Sequence, residues 1–432
     1  MTADVTARTT SPKAPAPEPP RSTVRYPLDA LRGLAALAVL TFHAYQNQFL
    51  DLAPEDKPSS ALAHLLVVVS EGAVDMFFVL SGFLLFLPAA RDGLRGAAPR
   101  SAADLLLRRV ARLLPLYLTV VLVVWAVTNP DLPGHWQDLA LHLTFTHIYS
   151  DTYIFWTDGP AWTLAVEFHF FLLMALLVPR LGRACTHRAT RAGRIAVLVV
   201  PPLAMTAIGL TWLLTSIYLR DVPATDWSTW YGFLAKTPIF GFGMALALVV
   251  ALRGQPDSGR DRLRPVRWLL LAGAVALVGW AYVGRPEVPT SSTSELWHLV
   301  FGGAALLLIA AVVLQPGGGP AFLRWRALTF LGGVSYGIYL LQEPIMRLLR
   351  SAGWLPERDG QLLDVPVTAA IVALFTLVAA WASGRSLEAN GVRLLAMFGP
   401  GGSQRDYYPH LRDDHEALTR LAEHHARHPT HV

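Results

Sequence analysis

Arg32 and His43 stand eleven residues apart inside one apolar stretch, LDALRGLAALAVLTFHAYQ. Ionisable groups within a lipid-embedded helix are expensive to keep, which makes these two the first candidates for function. Eleven positions of an α-helix turn ~1,100° and rise ~16.5 Å, so both side chains share one face, with the guanidinium near one surface and the imidazole near the other. Asp29 lies three residues before Arg32, where an opposite charge on a helix meets it, so an Asp29–Arg32 pair is expected at the helix start. A guanidinium holds anions, and an imidazole can take a proton from a hydroxyl near neutral pH.

Four further groups carry chemistry by type and spacing. Glu71 and Asp75 lie four apart in SEGAVDMFFVLSGFLLF, on one helix face, where two bare carboxylates repel; one must be protonated, or a cation such as Arg32 must compensate them. In the same stretch Ser81 and Gly82 read as small residues marking close packing. Arg108, Arg109 and Arg112 open LLLRRVARLLPLY. They either anchor a helix to headgroups or form a phosphate site, since guanidinium groups take phosphate oxygens two at a time. Glu167 in AWTLAVEFHFF lies ~9 Å from the start of its helix, and His43 ~24 Å along its own, so both fall in the outer half. A carboxylate meeting that imidazole would fix its tautomer and raise its basicity, as a general base needs. Tyr336, Tyr339 and Glu343 form a polar stripe at helical spacing in FLGGVSYGIYLLQEP.

The elements that position these groups are membrane spans. Of the 432 residues 53% are hydrophobic and 16% charged, and apolar runs of about twenty residues recur along the chain. Spans are expected at 27–49, 62–87, 105–127, 161–179, 195–219, 231–252, 268–284, 296–315, 327–346 and 365–383, an all-α bundle of about ten transmembrane helices. Twenty-eight lysines and arginines flank these spans on one side and six on the other, with none between Val127 and Pro160. Basic residues in short loops stay in the cytoplasm, so both termini are expected there. The net charge of +5 is then a matter of topology, with no nucleic-acid partner implied. Residues 1–25, rich in Pro, Ala and Thr, read as a disordered cytoplasmic lead-in with no secretory signal; 26–390 form the transmembrane domain, and 391–432 a polar cytoplasmic tail. The lone cysteine, Cys185, falls in an expected cytoplasmic loop, and the histidines of the tail lack the partners of a metal site.

Five motifs in order, LDxLRG with its Arg and His, VDxFFVLSGFL, RRxxRxxPxY, WTLxxE and SYGIYL, span Tyr26 to Glu388. Together they resemble the acyltransferase 3 family of membrane-bound O-acyltransferases, bacterial proteins of the cell membrane. The resemblance implies transfer of an acyl group, often acetyl, from acyl-coenzyme A as co-substrate to a hydroxyl of a carbohydrate or of a glycosylated or polyketide natural product, with no tightly bound cofactor and no metal. It implies that His43 is the catalytic histidine, that Arg32 is its motif partner, that Glu167 and Tyr336 line the site, and that Arg108, Arg109 and Arg112 bind the donor. Asp29 and Asp75 join the expected substrate-binding set. Where the family often reads YLxH, this chain has Gln342, an amide that can still donate and accept hydrogen bonds. The competing class is a proton-coupled secondary transporter using Asp29, Glu71, Asp75 and Glu167 as a relay.

Overall fold

The computed structural model describes residues 27–50, 52, 61–98, 101–254, 264–285, 291–314 and 319–388. The expected lead-in 1–25 and the tail from 391 lie outside the described residues. No strand occurs among them. Twelve α-helices follow one another: α1 (Leu28–Gln48), α2 (Ala61–Arg95), α3 (Ala102–Thr128), α4 (Trp136–Leu143), α5 (Ala161–Thr186), α6 (Arg191–Tyr218), α7 (Trp227–Tyr231), α8 (Phe233–Arg253), α9 (Arg264–Gly284), α10 (Trp297–Val313), α11 (Arg326–Ser351) and α12 (Asp364–Ser383).

Eight helical stretches among the described residues are long and apolar enough to cross a bilayer. They contain α2, α3, α5, α6, α8, α9, α10 and α12. The sequence reading counted α1 and α11 as spans as well. Both are long, but neither meets the same test of apolarity, because they carry the polar groups singled out above. Several helices outrun the apolar runs that announce them. Helix α5 continues to Thr186, so Cys185 is buried in a helix end, against Gly93 and beside Leu198, rather than in a loop.

Helices α1 and α11 pack side by side and run in the same direction. Asp29 and Gly33 of α1 meet Gly332 near one end, and Asn47 accepts from Nη2 of Arg350 at 2.7 Å near the other. This approach requires glycine. A Cβ at Gly332 would lie 2.0 Å from the Asp29 carbonyl oxygen, and one at Gly33 would lie 2.7 Å from Leu331 Cβ. The α2–α8 crossing uses the same device at Gly243, where a Cβ would come within 2.0 Å of the Val79 carbonyl. With no hydrophobic gain between helices in lipid, such close backbone contact supplies the packing.

Between α4 and α5 the chain forms an irregular segment, residues 144–160, that is partly buried in the fold. Ile148, Ile154, Thr157 and Asp158 are all buried, and Phe145, in the left-handed region at φ 59°, stacks on Tyr117 and Phe168. Buried irregular backbone must find partners. Here the Thr157 carbonyl accepts from Arg347 Nη1 at 3.1 Å and the Ile154 N–H donates to the Ser150 carbonyl at 3.0 Å, while the Thr157 hydroxyl donates to Asp138, which pairs with His142 Nδ1 at 3.0 Å. His142 and His147 stack in parallel, ring centroids 3.9 Å apart, with no solvent exposure. Burial and the neighbouring His142 hold the His147 pKa well below the ordinary histidine value, so it is neutral in the fold and free to protonate once unfolded. Its stabilising effect is complete above about pH 6.5 and is lost below it, by about 1.4 kcal/mol per pH unit. The apparent melting temperature in lipid nanodiscs should therefore fall between pH 7 and pH 5, and the fall should be smaller in His147→Phe; an unaltered pH slope in that variant would contradict this account of the segment.

Candidate active site

A cavity opens between α1, α2, α3, α5 and α11, enclosing about 790 Å³ of atom-free space, part of it continuous with the exterior. Arg32, Arg109 and Arg112 line it together with Ser81, Glu167 and Tyr336. Each helix contributes through its motif: α1 gives Arg32, α3 the two arginines, and α5 Glu167 at the seventh residue of the helix. Ser81 donates to Glu167 Oε1 at 2.5 Å, and the Arg32 and Arg109 charges act on that carboxylate. The Arg109 guanidinium also lies over the Phe171 ring at 5.6 Å. Tyr336 donates to the Leu113 carbonyl at 2.6 Å, which ties α11 to α3 across the cavity. Three guanidinium groups against one carboxylate make the cavity an anion-receptive space walled by apolar side chains.

His43 does not line this cavity. It sits farther along α1, where the Gln342 side chain bonds to it and the Glu343 charge acts on it. Nδ1 of His43 and Oε1 of Gln342 are both buried without a further hydrogen-bond partner. Glu343 pairs with Arg347, whose Nη1 donates to the Thr157 carbonyl at 3.1 Å. Asp158 is fully buried beside Glu343 and Arg347, and neither of its carboxyl oxygens has a hydrogen-bond partner. These groups form a second polar cluster. Tyr339 stands between the cavity and this cluster: it lines the cavity, bonds to Thr163, and lies within electrostatic reach of Glu167 as well as of Asp158 and Glu343.

The sequence expectations divide accordingly. Arg32, Arg109, Arg112, Glu167 and Tyr336 converge on one cavity, while the side chain of Arg108 lies outside the described residues. Glu167 and His43 do not pair. The carboxylate is taken by Ser81 and the arginines because α5 begins inside the fold, beneath the buried segment, rather than at the surface. Asp29 is exposed in the first turn of α1 and does not line the cavity. Asp75 does not line it either. It pairs with His298 at 2.8 Å, and Glu71 pairs with Arg285 at 2.5 Å, in a separate network that also contains Lys236 and Glu295. The cations compensating the α2 carboxylates therefore come from α10 and the end of α9, and not from Arg32. Ser81, read as a packing residue, is a cavity hydroxyl; the signal for it is its placement six residues past Asp75, on the face turned to α5. Asp158 gave no signal at all.

The family model described as an acyltransferase domain matches residues 25–385. Acyltransferase MdmB of Streptomyces mycarofaciens is 29% identical over 376 residues, covering 82% of this chain and 90% of that protein. YrhL of Bacillus subtilis (strain 168), provisionally a peptidoglycan O-acetyltransferase, is 26% identical over 352 residues, covering 74% of this chain and 48% of that protein. BcsY of Komagataeibacter xylinus, provisionally a membrane-bound transacylase, is 24% identical over 390 residues, with 84% of each chain covered. No solved structure matches the chain.

Burial and the adjacent Glu343 push the Asp158 carboxyl well above the usual carboxylate range, with Arg347 opposing. The unfolded chain loses that proton above about pH 4, so the group costs stability increasingly as pH rises from there until it ionises in place. Asp158→Asn should raise the apparent melting temperature at pH 7.5 and change it little at pH 4.5; a lower melting temperature at pH 7.5 would show that the carboxylate is held ionised by Arg347.

Proposed function

The chain belongs to the acyltransferase 3 family, and from that premise we propose that it moves an acyl group, acetyl in the simplest case, from acyl-coenzyme A to a hydroxyl of a carbohydrate or of a glycosylated or polyketide natural product. One observation supports this reading: Arg32, Arg109 and Arg112 line one cavity with Tyr339, and Tyr339 lies within electrostatic reach of Glu343, whose charge also acts on His43 farther along α1. The donor is a polyanion with a long neutral arm ending in a thioester. Its phosphates suit the guanidinium groups, which bind phosphate oxygens in pairs. The amides and hydroxyl of the arm suit Ser81, Glu167 and Tyr336. The helix rise of ~16.5 Å between Arg32 and His43 is of the order of the arm's length, which brings the thioester to the imidazole.

His43 then acts as general base. It takes the proton of the acceptor hydroxyl as that oxygen attacks the thioester carbonyl; the carbon–sulfur bond breaks, and the departing thiolate receives the proton. Proton transfer of this kind is worth about 10²- to 10⁴-fold in rate. An acyl-His43 intermediate is the variant of this scheme in which the ring attacks first. With basic residues concentrated at the end where α1 begins, the donor enters from the cytoplasm of a bacterial cell, whose plasma membrane holds the protein. Proton-coupled transport is less well supported, because Glu71 is paired with Arg285 and Asp75 with His298.

The test is acetyl-coenzyme A turnover by the purified protein in nanodiscs, read as free thiol and as acetylated product by mass spectrometry. His43→Ala should lower turnover at least 100-fold with an unchanged melting temperature. Arg109→Gln should raise the KM for acetyl-coenzyme A about tenfold or more while kcat changes less, since it removes charge-assisted phosphate contacts worth about 1.5–3 kcal/mol. Near-normal turnover by His43→Ala would exclude the histidine both as base and as carrier.

A further inference from the structure

Helix α5 turns two side chains of one face into the cavity. Glu167 and Phe171 are four residues apart, so one stands above the other along the helix, and both line the cavity wall. Arg109 and Arg112 line it from α3. The guanidinium carbon of Arg109 lies over the Phe171 ring, 5.6 Å from its centroid, and the Glu167 charge acts on the same guanidinium. Phe171 is only 6% exposed, so this contact is made away from solvent, where a cation over a ring is held more firmly than at a surface. The charges of Arg112 and Arg32 also act on Arg109. Like charges repel, and an arginine at the eighth position of its helix has a side chain long enough to carry its head out to water instead.

We propose that Phe171 is a positioning residue for the acyl donor: its ring holds the Arg109 guanidinium inside the cavity, against repulsion by Arg32 and Arg112, where a donor phosphate meets it. The inference rests on the reading that the donor is acyl-coenzyme A. A ring and a carboxylate hold a guanidinium in different ways. A carboxylate takes up N–H donors. An aromatic face attracts the charge through its quadrupole and offers no lone pair, so the donors stay available to phosphate oxygens. Fixing the side chain before the donor arrives also removes an ordering cost otherwise incurred on binding. An aliphatic residue at this position would fill the same wall without that attraction. In the sequence Phe171 is one more apolar residue of EFHFFLLMALLV, and only the packing of α3 against α5 brings Arg109 over it.

The experiment is a calorimetric titration of coenzyme A into the full-length protein in nanodiscs, which reads donor affinity without any acceptor. Phe171→Leu should weaken binding about fivefold, and Phe171→Tyr, which keeps the ring, should bind within about twofold of the wild type. Dependence on Arg109 separates positioning from packing. In an Arg109→Gln background, Phe171→Leu should weaken binding by less than about a further twofold, because the charge that the ring holds is gone. Phe171→Met, which keeps bulk without a ring, takes the place of the leucine variant if that variant does not fold. Unchanged affinity in Phe171→Leu, an equal loss in Phe171→Tyr, or the full loss repeated in the Arg109→Gln background would each overturn the proposal. If the wild-type protein binds no coenzyme A at millimolar concentration, the donor reading itself fails and the inference with it; wild-type binding that the Phe171 variants leave intact overturns the role of Phe171 alone.

Discussion

A charge inside a lipid-embedded helical bundle must be met by an opposite charge, a hydrogen bond or a polar guest, and the arrangement of this protein follows from that constraint. Three polar zones satisfy it in different ways. On the α2 side facing α9 and α10, Glu71, Asp75 and Glu295 lie against Arg285, His298 and Lys236, a network that links α2, α8 and α10 with the end of α9. In the cavity, three arginines share the wall with Glu167. Near His43 and Glu343, buried polar atoms of His43 and Asp158 lack hydrogen-bond partners. The first zone is suited to holding helices together.

The helices themselves were legible because an apolar run of span length leaves few alternatives, and every expected span coincides with a long helix of the structure. The cavity was also legible in large part. Arg32, Arg109, Arg112, Glu167 and Tyr336 stand out as polar residues within apolar helices, and such residues turn inward. The pairings were not legible. Glu167 was matched with His43 on the assumption that α5 starts at the surface, whereas its first turn lies beneath the buried segment and its carboxylate reaches the level of Arg32. For the α2 carboxylates the sequence leaves protonation or a cation such as Arg32 open, because His298 and Arg285 are more than two hundred residues away and carry no local signal. Periodicity reports which face of a helix is polar; which helix stands opposite is a property of the fold.

The irregular segment between α4 and α5 illustrates the cost of building such a site. It is anchored by Thr157, which bonds to Asp138 and accepts from Arg347, its buried His147 stacks on His142 of α4, and it holds a carboxyl whose burial works against stability at neutral pH. Groups that destabilise the fold and lack structural partners are where function is to be sought. The close contacts at Gly33 and Gly332 serve the same end by fixing α1 against α11, which sets His43 against Gln342 and Glu343.

The central claim is that one extended donor bridges the arginine-lined cavity and His43. The most direct measurement is a cryo-electron microscopy structure of the protein in nanodiscs with a non-hydrolysable thioether analogue of acetyl-coenzyme A. The account predicts phosphate density against Arg109 and Arg112, the pantetheine arm passing Ser81 and Tyr339, and the sulfur in contact with the His43 ring. A donor lodged wholly at the arginines with its sulfur beside Glu167, or bound in another cleft, would contradict it.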